Sequence, residues 1–227
     1  MLPTKSIIIL SFSLCLHSCK PKEEREKAIH PGYTEQASSQ ARPALPYKYF
    51  VQHTRQSFAE LKTSRNIPGL QQLLYSTIAM QMPLYWTGTT WDFNGVSRTP
   101  GEGSIACGYF ITTLLEDAGF KLNRVRLAQE PSSVLIKSTC TQVKNYGALE
   151  DLKKYLQAAP ANSVCILGLD FHTGFVVKGA DSAWFFHSNY IRRSGVTKEL
   201  VDESGALKAS KTFMIGSLTA NSKFLLK

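Results

Sequence analysis

What this chain is short of narrows its possible roles. No apolar run approaches the roughly 20 residues that a membrane-spanning helix needs; the longest near the start, residues 7–16, is about half that. There is no internal repeat and no low-complexity segment, which sets aside solenoids and repeat arrays. Acidic residues are few, 17 against 26 lysines and arginines, for a net charge of +9. The basic residues are nevertheless scattered. Their densest cluster, residues 20–27, is interrupted by Glu23, Glu24 and Glu26. That is a bias toward an anionic surface or substrate and not the concentrated patch of a nucleic-acid binder. Histidine is scarce, at five residues, with no carboxylates at matching spacing, so neither a zinc site nor another cofactor is expected.

What is present begins with an export pattern. Lys5 precedes the apolar run, which ends in Leu16-His17-Ser18-Cys19. This resembles a bacterial lipobox, in which a small residue precedes a cysteine that receives lipid. The expected organisation is a signal over residues 1–18, a flexible linker over 19–46 and one domain over 47–227. The linker holds Pro21, Pro31, Pro43 and Pro46 and lacks a sustained apolar period. Lipid on Cys19 would tether the domain to a membrane of the cell envelope. Of the five cysteines, Cys107, Cys140 and Cys165 then remain in the domain. An odd number leaves at least one thiol free within the chain, and pairing of Cys140 with Cys165 is left open.

Within the domain the apolar period changes from helical to strand-like. Tyr47, Phe50, Val51, Phe58 and Leu61 recur near helical spacing, and Asn66-Ile67-Pro68-Gly69 closes that helix. A second helix is expected over residues 70–80, stopped by Pro83, followed by loop over 84–106. A third should start at Cys107, with Gly119 suited to the position after its end. Another is expected over 148–159. Beyond Pro160 come short apolar runs at 164–169, 173–177, 183–186 and 212–218, rich in β-branched and aromatic residues. Helices first and an antiparallel sheet second make the fold class α+β.

Cys107 is the leading candidate for chemistry. At the first turn of a helix, unpaired N–H groups and the helix dipole favour a thiolate and can hold a developing oxyanion. Gly108 beside it would let a substrate backbone come close. A thiol nucleophile needs a base, and the base needs an orienting partner. His17 and His30 fall in the signal and linker, and His53 lies on the outer face of the first helix. His172 and His187 remain, both in the strand region. If residues 178–181 form a hairpin loop, Val177 pairs with Ser182 and His172 falls directly opposite His187, with Cβ atoms about 5 Å apart. A five-residue loop would place them on opposite faces.

The segments Tyr85-Trp86-Thr87-Gly88, Cys107-Gly108, His172-Thr173-Gly174-Phe175 and Phe185-Phe186-His187 occur in this order. Together they resemble the NlpC-type cell-wall peptidases, over about residues 83–190. The resemblance implies a papain-like α+β fold, helices packed on an antiparallel sheet, and cleavage of amide bonds in peptidoglycan stem peptides. It implies Cys107 as nucleophile, His172 as base and His187 as the residue orienting His172. Tyr85 would line the site near the oxyanion. The family carries Asp-Cys-Ser-Gly at the nucleophile; this chain has Ala106-Cys107-Gly108-Tyr109, which removes a contact to a substrate's free amine. Asp92, in an insertion over the cleft at residues 91–104, could replace that contact or cap a turn. Asn189 is an alternative third residue.

The expectation is a monomeric envelope cysteine hydrolase that uses no metal, binds no nucleic acid and acts on peptidoglycan or another peptide. An acyltransferase or transglutaminase-like enzyme would use the same residues with a different acceptor. A non-catalytic envelope-binding lipoprotein would need none of them.

Overall fold

The computed structural model describes residues 43–227, the side chain of Arg192 excepted. The expected signal, Cys19 and nearly all of the linker lie outside the described residues. The helices α1 (Tyr47–Thr63), α2 (Ile67–Tyr75), α3 (Met82–Trp86), α4 (Cys107–Asp117), α5 (Arg124–Gln129) and α6 (Ser132–Thr139) come first. They are followed by β1 (Thr141–Tyr146), α7 (Leu149–Ala158), β2 (Ser163–Gly168), β3 (Thr173–Lys178), β4 (Ala183–Asn189) and β5 (Gly195–Leu200). The helices α8 (Gly205–Ala209) and α9 (Ser222–Leu225) flank the last strand, β6 (Phe213–Ser217). The architecture is α+β. The six strands form one antiparallel sheet in the order β1-β6-β2-β3-β4-β5. No helix among the described residues is long and apolar enough to cross a membrane.

Both faces of the central strands are covered, which is why β2 and β3 read as nearly unbroken apolar runs. Val164, Ile166, Phe175, Val177 and Phe186 face the larger helical layer and meet Trp86, Phe110, Ile111 and Leu114. Cys165, Leu167, Val176, Phe185 and Ile215 face the other way, against Leu152 and Leu156 of α7 and Leu207 of α8. Phe110 lies edge-on to Phe186 at 4.9 Å and to Trp86 at 6.1 Å. A buried ring of this size contributes about 1.5–3 kcal/mol.

The helical layer departs from the expected outline around Pro83. Asn66 does not only end α1: its side chain caps α2 by accepting from Gly69 N–H at 3.0 Å. Pro83 does not stop the second helix. The backbone passes from α2 through a π-helical turn, Ser76–Gln81, into α3, where Pro83 occupies the first turn. A proline is tolerated there because its missing N–H has no partner to lose. Tyr85 and Trp86 are therefore helical, and the loop begins only at Thr87. At the far end of α4, Gly119 adopts φ +92° and its N–H reaches Glu116 O, as its placement after the helix predicts. Two strands were not anticipated, β1 and β5. Both are sheet edges with polar residues on the open side.

A buried polar chain joins α1, α3 and α4. Trp86 Nε1–H donates to the Tyr47 hydroxyl at 2.9 Å, and that hydroxyl donates to Asp117 at 2.6 Å. Asp117 also receives Arg55 at 3.0 Å. Burial raises Asp117 above the usual carboxylate range, against the pull of Tyr47 and Arg55. Tyr47→Phe keeps the ring but strands the Trp86 donor and one Asp117 oxygen. It should cost about 1–3 kcal/mol in a urea titration; an unchanged midpoint would mean that this chain does not hold the helices together.

Candidate active site

The site is assembled where the N-terminus of α4 meets the ends of β3 and β4. Ala106 is the N-cap of α4 in extended conformation (φ −78°, ψ 158°) and supplies no side-chain cap. The first N–H groups of the helix are thus left for other acceptors. Ile105, just before it, is tied to the sheet by Ser188, whose hydroxyl donates to Ile105 O at 2.6 Å. Gly108 allows α5 to close in. A Cβ there would come within 2.2 Å of Ala128 O, so the residue is required by packing as well as by its position in the cleft.

Cys107 and His172 line one cavity of about 620 Å³. Burial pushes the Cys107 thiol above its ordinary value, while the backbone N–H groups of Thr173, Gly108 and Cys107 itself pull it back. Thr173 follows His172 directly, so the backbone next to His172 is the backbone that meets the thiol. Cys140 and Cys165 are free and buried, each with its thiol pushed up to about 12 chiefly by burial. They form no disulfide.

His172 and His187 are hydrogen-bonded, Nε2 to Nδ1, at 2.7 Å. Their register differs from the expected one. The hairpin loop is Gly179 to Ser182, with Lys178 paired to Ala183 and Phe175 to Phe186. Carried along the strands, that register puts Gly174 opposite His187 and Asn189 opposite His172. The histidines are diagonal neighbours and not a direct pair. The loop is still even, so they share a face, and diagonal positions lie within reach of long side chains. Gly174 makes the approach possible: a Cβ there would sit 2.6 Å from the His187 Cβ and 2.5 Å from the Phe185 ring.

The chain continues to a residue that sequence reasoning missed. His187 Nε2 bonds Glu199 Oε1 at 3.1 Å. Glu199 lies on β5, the edge strand that was not anticipated, opposite Phe185. Its carboxyl is held below its ordinary value, first by the hydrogen bond from His187. An ionised carboxylate only accepts, so His187 Nε2 carries a proton. Neutral His187 then presents a bare Nδ1, which must accept from His172 Nε2–H. His172 Nδ1 is left unprotonated, and His172 shares its cavity with Cys107. The tautomers follow from this network. His172 is fixed on its other sides by Tyr190, with ring centroids 5.0 Å apart, and by Phe185 at 6.0 Å.

Three other expected residues are elsewhere or otherwise engaged. Tyr85 does not line the cleft: its hydroxyl donates to Leu45 O at 2.8 Å and its ring stacks on Phe50. This follows from the helical path through Pro83. The donors left for an oxyanion are the backbone N–H groups at the start of α4. Asp92 caps a turn, accepting from Asn94 N–H at 2.8 Å, and its carboxylate does not line the cleft. Asn189 accepts from Ile191 N–H at 2.9 Å and so shapes the turn after β4; the partner of His172 is His187. The loop after Thr90 does cover the cleft, through Trp91, Phe93, Asn94 and Val96. Arg124 pins it by donating to Val96 O and Ser97 O, both at 2.9 Å, while lying over the Tyr109 ring. Among the described residues no group of His, Cys, Asp or Glu is placed to hold a metal ion.

Two pH dependences follow. Burial, reinforced by His187, holds His172 well below the usual histidine value of 6.5, and burial lowers His187 too. The unfolded chain therefore binds protons below about pH 6.5 that the folded chain refuses. This contribution to stability is present above that pH and is lost as the pH falls. The urea midpoint should drop between pH 7 and 5, and His172→Gln should flatten that slope. A midpoint as steep in the variant would place the effect elsewhere. With the thiol raised and the imidazole neutral, Cys107 rests as a thiol. Carboxamidomethylation followed by peptide mass spectrometry should label Cys107 ahead of Cys140 and Cys165. Its rate should climb past pH 8, and a plateau at pH 6–8 would instead indicate a resting thiolate–imidazolium pair.

Compared with known proteins, the chain matches no family model, no curated protein and no solved structure, so its function must be argued from this geometry.

Proposed function

We propose that the chain is a cysteine hydrolase of the papain-like, NlpC type, cleaving amide bonds through a thioester on Cys107. The observation that carries the reading is the polarised chain Glu199–His187–His172, which leaves a bare imidazole nitrogen in the cleft that holds Cys107 at an uncapped helix start. A buried imidazole pair aimed by a carboxylate has a clear use as a base and little use in a binding module. An envelope setting, a membrane tether through Cys19 and a stem-peptide substrate are part of this proposal. The first two rest on the sequence of residues 1–19.

In the reaction, His172 Nδ1 takes the Cys107 proton as sulfur attacks the carbonyl carbon. The carbonyl oxygen becomes an oxyanion facing the N–H groups of Cys107 and Gly108. The C–N bond then breaks, and the proton on His172 Nδ1 passes to the departing amine. A water gives its proton to the same nitrogen and attacks the thioester. The C–S bond breaks, the acid leaves, and the proton returns to sulfur. Throughout, His172 Nε2–H stays on His187, and Glu199 offsets through His187 the transient positive charge on His172.

The test uses the full chain with peptide and muropeptide amides, products being read by mass spectrometry. Cys107→Ala should abolish cleavage. Glu199→Gln tests the relay. The new amide N–H2 can donate to His187 Nε2, which moves the His187 proton to Nδ1 and forces the His172 proton onto the working nitrogen. The turnover number should fall by about 10²–10⁴-fold, the range for loss of general-base catalysis, while Glu199→Asp should lose less. Full activity in Cys107→Ala would end the hydrolase reading.

A further inference from the structure

The cleft around Cys107 differs from its surroundings in charge. Among the described residues lining it, His172 alone is titratable within the histidine, carboxylate and amine classes, and burial keeps it neutral. Its walls are chiefly Trp91, Phe93, Val96, Tyr109, Phe171 and Tyr190, with the uncharged amides of Asn94 and Gln129 among them. Two of these project almost entirely into solvent: Phe171 is 95% exposed and Phe93 is 79% exposed. Phe171 immediately precedes the base, and Phe93 sits on the loop that Arg124 pins over the cleft. Exposed aromatic side chains rimming a nucleophile form the kind of apolar patch that marks a ligand site. Ala106 offers no carboxylate to a free amine, and Asp92 is turned into its own loop.

A second cavity, about 600 Å³, shares Phe171, His172 and Tyr190 with the first but does not include Cys107. Its far side carries the polar residues Asp170, Ser210, Lys211 and Thr212 beside Leu169, Ala206 and Ala209. The two halves of a substrate are thereby sorted. The carbonyl carbon must reach Cys107, so the acyl group occupies the apolar cavity that contains the thiol. The leaving group takes its proton from His172 and departs on the side that contains the base alone.

We infer that the acyl group accepted by Cys107 is uncharged and apolar, an aliphatic or aromatic chain of several carbons, with the polar half of the substrate on the Lys211 side. This rests on the hydrolase reading and moves its substrate class from the stem peptide to an acyl chain without charge. A charged acyl group would enter a cleft with no counter-charge and lose hydration without replacement.

The test compares three activated esters on the full chain: p-nitrophenyl acetate, p-nitrophenyl octanoate and the p-nitrophenyl monoester of suberic acid. The last matches octanoate in length and ends in a carboxylate. After subtraction of the Cys107→Ala background, kcat/KM for octanoate should exceed both others by at least about tenfold, the scale of discrimination by an apolar pocket. Phe93→Ser combined with Phe171→Ser should bring the octanoate-to-acetate ratio down toward one. Equal turnover of the three esters, or a preference for the suberate, would overturn the inference while leaving the hydrolase standing. Absence of any Cys107-dependent turnover would bring down the hydrolase reading and the inference with it.

Discussion

A single hydrogen bond between two buried imidazoles, His172 Nε2 to His187 Nδ1, sets the terms for everything around it. Two neutral rings can bond only if one donates and the other accepts, and nothing within the pair decides which. Glu199 decides it. By accepting a hydrogen bond from His187 Nε2–H it leaves Nδ1 of that ring as an acceptor, and so fixes His172 as the donor with its other nitrogen bare. Burial works in the same direction. Both rings are held neutral because a charged imidazolium would have to be desolvated. The carboxylate at the end of the chain, less buried than either ring, is held below its ordinary value first by the hydrogen bond from His187. An imidazole that is neutral and oriented from behind is the product of this gradient from solvent to core.

The constraint reaches back into the sheet. His187 can approach His172 only because residue 174 has no side chain, and only because the hairpin loop is even. The sequence left parity open between an even loop and a five-residue one. The runs of Phe175 to Val177 and Ala183 to Phe186 mark the strands, and the spacing of the histidines puts them on one face for any even loop. The pairing itself was not legible. Moving the loop by one residue, from 178–181 to 179–182, leaves parity intact and replaces a direct pair with a diagonal one. Glu199 escaped notice for a related reason. An edge strand alternates a half-buried with a half-solvated face, and Gly195 to Leu200 carries Thr197, Lys198 and Glu199 in succession. Nothing in that composition separates it from loop until its pairing with β4 is known. Tyr85 was placed at the site by the family resemblance, and its segment was read as loop because a proline normally ends a helix, whereas here a π-helical turn resets the backbone and Pro83 falls in a first turn.

Cys107 and His172 belong to different layers of the fold, so their distance depends on how the helices sit on the sheet. Three contacts fix that seat. Ser188 on β4 holds the carbonyl before α4, Gly108 lets α5 lie against the first turn, and Phe110 locks that turn between Trp86 and Phe186. The Trp86–Tyr47–Asp117 chain extends this support to α1. It contributes to the site although it lies well outside it, since any tilt of α4 changes the thiol's distance from His172.

Ala106 ties the chemistry of the nucleophile to the character of the cleft. An aspartate at an N-cap would bond the N–H groups of the first turn and stabilise the helix by about 1 kcal/mol. Its charge would also repel a thiolate one residue away, and it would compete with an oxyanion for the same donors. Alanine gives up that stabilisation and leaves the donors free. It also leaves the cleft without the negative charge that a cationic substrate would need. Under the proposed function, the same alanine favours reactivity at Cys107 and an uncharged acyl group beside it. Both consequences follow from one absent carboxylate, and the aromatic rim of Phe93 and Phe171 fills the role left open by supplying contact area in place of charge.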